Sequence, residues 1–428
     1  MGKLKRADID TLIMFLILVV ISSASVITDS NYSIMLVTIV LFLLVKKDRV
    51  IRPSILVILG IIVAINLSTM VVFSTKLELL RVINFICSPI LLSYFTVLYF
   101  GVSFWRKFEN LVYFLTILSL IIYPLDLLFP SVFNGLAVVF KYLTSEKFAG
   151  LEYYWSSLVY VHNANAVEIV GFRNSGFMWE SGAFAFILVV CIAVNWLVNG
   201  VKFTNKRFVI YSIALLTTAS TAGYLAYLAL LAGAIFNERR NILVYISLIP
   251  LTFLIIYIYN TSTFLGEKIL AYYGSVEVDY VDFITEEFNA PKLNRFMYMK
   301  YQFIEVMKYP WGFGIFNSTD IKSIWNYVGV GGVADMIFMY GIPLFIVIQW
   351  YILKFFKVIG KGKIKPLTIG SYIALLIMMF SNPISRNIIV YIILFTPIII
   401  SYKTFNLYEH LCNLNLSISR RISPHKQN

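Results

Sequence analysis

Apolar runs recur along this chain, and most are closed by lysine or arginine. A spanning helix needs about 20 mainly apolar residues. Runs of that kind cover residues 11–28, 32–45, 53–73, 82–105 and 111–129, and then 183–199, 242–259, 333–356, 367–380 and 388–402. Lipid offers no partner to a backbone N–H or C=O, so such runs fold as helices. Residues 11–28 follow Lys3, Lys5 and Arg6 and read as an uncleaved anchor rather than a signal peptide, because the next run begins almost at once. Residues 208–236 are too long for one ordinary span and short for two. Their centre, Thr217-Thr218-Ala219-Ser220-Thr221-Ala222-Gly223, suggests a tight turn between two helices; the alternative is one long tilted helix.

Charge decides between them. With the run split and the N-terminus in the cytoplasm, most of the 35 lysines and arginines fall in alternate short loops. That is the positive-inside pattern. A single helix places Arg239, Arg240 and the cluster Lys357, Lys361, Lys363 and Lys365 outside. The expected fold is an all-α polytopic membrane protein of about twelve transmembrane helices. It forms one integral domain over residues 1–428, with both termini cytoplasmic and two large outer loops, 130–181 and 260–332, containing short helices. Charged residues make up 13% of the chain, against about 25% in soluble proteins, so the solvent is lipid. The net charge of +13 follows from topology, and no nucleic-acid partner is expected. Cys87, Cys191 and Cys412 have neither metal-ligand spacing nor the look of a disulfide framework, and His162, His410 and His425 are scattered. No metal and no cofactor are expected.

The outer loops carry the candidate chemistry. In the first, Phe133, Leu136, Phe140 and Leu143 have helical spacing, which suggests a helix over 132–144 lying on the membrane surface. His162 reads as a surface or capping residue. The loop ends in Gly171-Phe172-Arg173-Asn174-Ser175-Gly176-Phe177-Met178-Trp179-Glu180-Ser181-Gly182, at the boundary of water and lipid. Charge there is costly and commonly functional. Arg173 and Glu180 share a face if this stretch is helical, although Gly176 and Gly182 interrupt it. The bland alternative is a snorkelling Arg173 and a surface Glu180.

In the second loop, Glu277, Asp279, Asp282, Glu286 and Glu287 read as a solvated face rather than a cation site. Asn294 caps a helix running to Tyr309, with Phe296, Met299, Phe303 and Val306 on one side and Arg295 and Gln302 on the other. Pro310-Trp311-Gly312-Phe313-Gly314 ends it. Asp335, at the membrane edge, either starts a span or is a buried acid partnered by Arg295 or Arg173. Tyr153, Tyr154, Trp155, Trp179 and Trp311 suit sugar faces or an interfacial belt, and the belt is the commoner use.

The layout resembles the O-antigen polymerase and ligase superfamily, and within it the Wzy-type polymerases. Three elements carry the resemblance: Arg173 to Glu180, similar to Arg-x-x-Gly-Phe-x-x-Glu before a span; Arg295 with Tyr309-Pro310-Trp311-Gly312-Phe313-Gly314, similar to Arg…Pro-x-x-Gly-x-Gly; and Asp335 with Met339-Tyr340-Gly341-Ile342, where the second loop re-enters the membrane. Two departures stand out. Ligases of the superfamily carry a His near the end of the second loop, and residues 324–335 have none, which favours a polymerase. Thr221 stands where a Ser-Arg-x-Gly turn has Arg.

The resemblance implies a bacterial inner-membrane glycosyltransferase that moves a polyprenyl-diphosphate-linked glycan onto the non-reducing end of another lipid-linked repeat unit, for O-antigen or capsule. Its partners are then the lipid-linked oligosaccharide, membrane lipid, a chain-length regulator and a flippase. On this comparison Arg173 and Arg295 hold the diphosphate, since the guanidinium fork pairs phosphate oxygens. Glu180, or after it Asp335, is the base. Trp179, Tyr309, Trp311, Gly312 and Gly314 are the substrate-binding candidates. The rivals are a lipid-linked oligosaccharide flippase, a ligase and a non-enzymatic scaffold.

Overall fold

Apolar runs fold as helices throughout the described residues of the computed structural model: 6–29, 31–45, 53–73, 85–148, 151, 153–163, 173–237, 295–314, 332–401 and 404. In chain order these helices are α1 (Arg6–Ser22), α2 (Asn31–Leu44) and α3 (Pro53–Phe73). A π-helical turn (Ile86–Leu91) then leads into α4 (Leu92–Phe100) and α5 (Phe104–Leu128). The segment after α5 contributes α6 (Pro130–Gly135), α7 (Ala137–Phe140) and the strands β1 (Tyr154–Ser156) and β2 (Val161–Asn163). Then come α8 (Ser181–Asn199), α9 (Lys206–Thr217), α10 (Thr221–Asn237), α11 (Arg295–Lys308), α12 (Gly332–Ile359), α13 (Pro366–Ser381) and α14 (Ile388–Ile399). The stretches Ile86–Leu128, Ser181–Asn199 and Gly332–Ile359 are long and apolar enough to cross a membrane.

Helix α8 forms the axis. It has no charged side chain and is apolar all round, the pattern of a helix surrounded by others. Nearly all of it is buried, from Ala183 to Leu197. The peripheral α2 and α3 expose Leu36, Val57 and Val71 outward, as lipid-facing helices do. Small residues replace apolar volume where helices approach most closely. A Cβ on Gly370 of α13 would lie 2.7 Å from Ala229 O and 2.8 Å from Gly233 Cα of α10. Without a hydrophobic drive inside lipid, such close backbone packing is a main source of helix association.

The ends of the bundle are chemically different. At one end Trp179 N–H donates to Ser22 O (3.2 Å), Asn174 N–H to Thr217 O (3.1 Å) and Gly332 N–H to Asn382 O (3.2 Å). Asn387 Nδ2 donates to Ile21 O there as well (2.9 Å). The segment between α5 and α8 is also tied there, through Val26 N–H to Leu143 O and Ser145 N–H to Ala24 O, each 3.0 Å. At the other end Glu109 of α5 is buried but satisfied. Asn195 Nδ2 donates to its Oε1 (2.7 Å), and Arg207 Nη1 lies 3.2 Å away. A buried carboxylate without such partners would be strongly destabilising.

Several expectations need correction. The chain is mostly helical, not all-α: β1 and β2 form an antiparallel hairpin pairing Trp155 with His162. Aromatic and β-branched side chains there suit a pleated surface. The expected surface helix over 132–144 is two short helices and a turn. The run 82–105 breaks at Gly101, whose φ of 55 ends α4, so Trp105, Arg106 and Lys107 belong to α5. Lys107 there pairs with Asp10. The run 333–356 is interrupted at Gly341 (φ 72). Residues 208–236 do divide, at Thr218–Ser220, with Ala219 at φ 45. The run 242–259 and the acidic patch from Glu277 to Glu287 lie outside the described residues.

The α10–α13 contact makes a direct prediction. Gly370→Leu forces side-chain atoms into the α10 backbone and costs about 3 kcal/mol or more. The thermal unfolding midpoint of detergent-solubilised protein should fall well below wild type, whereas Ile373→Ala, on an exposed apolar position of the same helix, should leave it nearly unchanged.

Candidate functional site

The stretch before α8 is a pinned turn, not a helix. Asn174 is buried and holds it in place. Its Oδ1 accepts from Ser119 Oγ of α5 (2.8 Å) and from Gly176 N–H (2.9 Å), and its Nδ2 donates to Thr217 Oγ1 (2.9 Å). Met178 N–H closes the turn on Ser175 O at 3.0 Å. Arg173 and Glu180 therefore do not share a helical face. Arg173 is half-buried, within electrostatic reach of Tyr224 of α10. Glu180 is the N-cap of α8 in extended conformation and lies near Tyr154. Burial, and then the Glu180 carboxylate, raise the Tyr154 hydroxyl pKa well above its ordinary value. That hydroxyl donates to Trp179 O at 3.1 Å.

The segment after α11 meets α12 through backbone. Pro310-Trp311-Gly312-Phe313-Gly314 follows α11 and lies against the break in α12. Phe313 N–H donates to Phe338 O, and Ile342 N–H to Pro310 O, both at 2.8 Å. Gly312 (φ +87) and Gly341 (φ +72) face each other, and a Cβ on either would collide with the other strand's backbone. Phe313 stacks on Phe338 with ring centroids 4.4 Å apart. One helix turn above, Gln302 Nε2 donates to Asp335 Oδ1 at 3.1 Å, with both side chains buried. Asp335 is thus a buried acid, and the Gln302 amide of α11 is one of its partners. Arg295 opens α11 seven residues before Gln302. Gly314 abuts Asn66 and Thr69 of α3.

Asn382, at the end of α13, joins the two halves. Gly182, just after Glu180, lies against its Oδ1, and Gly332, just before Asp335, donates to its backbone oxygen. Of the aromatic candidates, Trp311 is 73% exposed and Tyr309 42%, and Trp179 is half-buried. Tyr154 and Trp155 are neither a sugar platform nor a belt. Both are buried, and Trp155 stacks against Phe133, Phe140 and His162 and donates Nε1–H to Phe133 O at 2.7 Å.

His162 is not a surface residue. It is fully buried, with Nδ1 2.9 Å from Asp126 and Nε2 2.9 Å from Asn134 Oδ1. Tyr160 Oη also donates to Asp126 at 2.8 Å, and burial together with the neighbouring carboxylate raises its pKa. A signal for this pairing was present: an acid in an apolar run needs a partner, and His162 is the only histidine ahead of the C-terminal tail. Arg386 was also passed over. It is exposed in the short connection between α13 and α14, and its Nη2 lies 3.5 Å from Met339 Sδ. It is the only charged residue of that connection.

Comparison with protein-family models, with curated proteins and with solved structures returned no match.

Two outcomes follow from this geometry. Gly312→Ala and Gly341→Ala each introduce left-handed strain and a backbone collision, and each should lower stability by about 2 kcal/mol or more; an unchanged unfolding midpoint for either contradicts the contact. His162→Phe removes one of the two groups bonded to buried Asp126, leaving Tyr160 alone, and should cost about 2 kcal/mol or more. Adding Asp126→Asn to that variant should raise the midpoint again, because the acid that lost a partner is gone.

Proposed function

We propose that this chain is a bacterial surface-polysaccharide polymerase, a membrane glycosyltransferase with a polyprenyl-diphosphate-linked donor. About twelve spans, both termini in the cytoplasm and the two long loops outside complete the proposed topology. The observation that supports it is the meeting at Asn382 of Gly182, two residues after Glu180, and Gly332, three residues before Asp335, with Gly312 and Gly341 in contact further along α12. Those are the segments whose motifs resemble the Wzy-type polymerases.

In the proposed reaction a sugar hydroxyl of the acceptor repeat attacks the anomeric carbon of the donor chain. The new glycosidic C–O bond forms as the bond to the diphosphate breaks, and the diphosphate leaves with the electron pair. The acceptor's proton passes to Glu180, or in its place to Asp335. Arg173 and Arg295 stabilise the developing negative charge, the kind of term that carries most of such catalysis. Exposed Trp311 and Tyr309 offer flat faces to sugar rings. A flippase supplies the lipid-linked unit and a chain-length regulator acts on the growing chain.

Arg173→Ala and Arg295→Ala should each reduce long-chain polysaccharide in cells by about 100-fold or more while the protein still inserts at wild-type level. Normal ladders on a gel for both variants would end the assignment of the two arginines. Glu180→Gln with wild-type ladders removes Glu180 as the base and leaves Asp335.

A further inference from the structure

The end of α12 away from Asp335 carries an open cleft of about 440 Å³. Trp350, Leu353, Lys354, Lys357, Gly362 and Ile364 are among the residues that line it. Two left-handed residues, Lys361 (φ 65) and Gly362 (φ 80), reverse the chain after α12. Gly362 N–H donates to Lys357 O at 2.8 Å, and Ile364 returns to line the cleft.

Along this face α12 changes from apolar to cationic. Ile346, Trp350, Lys354 and Lys357 follow one another at helical spacing, which places them on one face. Ile346 is 60% exposed, Trp350 56% and Ile364 55%. From Ile346 to Lys357 the helix rises by roughly 16 Å, about half the hydrocarbon core of a bilayer. Lys354 folds back over aromatic faces, its Nζ 5.0 Å from the Trp350 ring centroid and 5.3 Å from that of Tyr351. A cation held beside a large exposed ring suits the edge of lipid, where the stem is apolar and the head is wet.

The charge here is of one sign. Lys354, Lys357, Lys361, Lys363 and Lys365 lie close together, and the sequence has no acidic residue between Asp335 and Glu409. Among the described residues neither Lys354 nor Lys357 is paired with a carboxylate. Residues three apart on a helix are neighbours, about 5–6 Å between Cβ atoms, so the two ammonium groups can share one phosphate. A free phosphate leaves the exposed faces of Trp350, Ile346 and Ile364 without a partner. A zwitterionic lipid brings a cation of its own, which the lysines repel.

We propose that this cleft binds an acidic phospholipid, with its phosphate between Lys354 and Lys357 and an acyl chain along Trp350 and Ile346. The bound lipid braces the turn between α12 and α13. The site is independent of the polymerase reading. Under the proposed topology its lipid comes from the cytoplasmic leaflet, where basic residues beside a span meet anionic head groups.

The test uses full-length protein in phosphatidylcholine nanodiscs that contain a sub-saturating amount of phosphatidylglycerol with a diazirine in one acyl chain. Label should map to the peptides that carry Ile346, Trp350 and Ile364. Lys354→Gln combined with Lys357→Gln should reduce labelling about 30-fold, and arginine at both positions should retain it. Ile364→Glu, at an exposed position, sets a like charge beside the phosphate and should also reduce labelling without changing elution on size exclusion. The unfolding midpoint of the wild type should rise as phosphatidylglycerol replaces phosphatidylcholine, and that of the double glutamine variant should not. Unlabelled phosphatidylglycerol should compete. Equal labelling by the phosphatidylcholine analogue makes the cleft an ordinary lipid-facing surface and overturns the proposal. Equal displacement by glycerol phosphate or by a polyglutamate peptide does so too, because it makes the lysines a site for soluble anions. Label elsewhere, undiminished label in the double glutamine variant, or an equal rise of its midpoint likewise overturns it.

Discussion

Two glycines held at positive φ, Gly312 and Gly341, let one segment of backbone lie directly on another. No side chain fits between them, and the paired N–H and C=O groups of Phe313, Phe338, Pro310 and Ile342 are satisfied across the contact. Inside a membrane such a break in a helix is tolerated only where its freed groups find partners in protein. Here the partner is the segment 310–314 that follows α11. Breaking α12 at Gly341 sets the direction of its first turns, and with them the place of Asp335 beside Gln302. It also sets Met339 beside Arg386, and Tyr340 against Tyr391.

The segment between α5 and α8 is organised differently. One buried asparagine, Asn174, fastens a turn to two helices at once, and the hairpin above it is filled by Trp155, Tyr160 and the His162–Asp126 pair. A buried polar network of this kind ties together the elements that surround it. The loop therefore presents Arg173 and Glu180 from a fixed support. The proposed two-loop site needs that stiffness, because charges aimed at a departing diphosphate would act only if they are already in place.

Much of this was legible beforehand, for physical reasons. Apolar run length identified the helices, and charge bias correctly divided residues 208–236, because both follow from lipid as solvent. Glycine-rich motifs marked the turn at 310–314. What stayed hidden depends on contacts distant in sequence. Nothing local to His162 reveals Asp126, and nothing near Gln302 reveals Asp335. Periodicity did not find the strands, because each is three residues long and flanked by aromatics that also suit a helix. The break at Gly341 lies inside an uninterrupted apolar run, where a single glycine carries little weight. Arg386 went unassigned because a lone arginine in a short connection has an ordinary explanation in topology.

The central claim is that two outer segments, meeting around Asn382, transfer a glycan from a lipid diphosphate. The most direct measurement is polymerisation by the purified, reconstituted protein with a single defined lipid-linked repeat unit as the sole substrate. The account predicts a ladder of products rising by one repeat, with polyprenyl diphosphate released in equal number to the bonds formed. Folded protein, of a kind that passes the unfolding and elution checks above, that releases no polyprenyl diphosphate and leaves the repeat units single would contradict it.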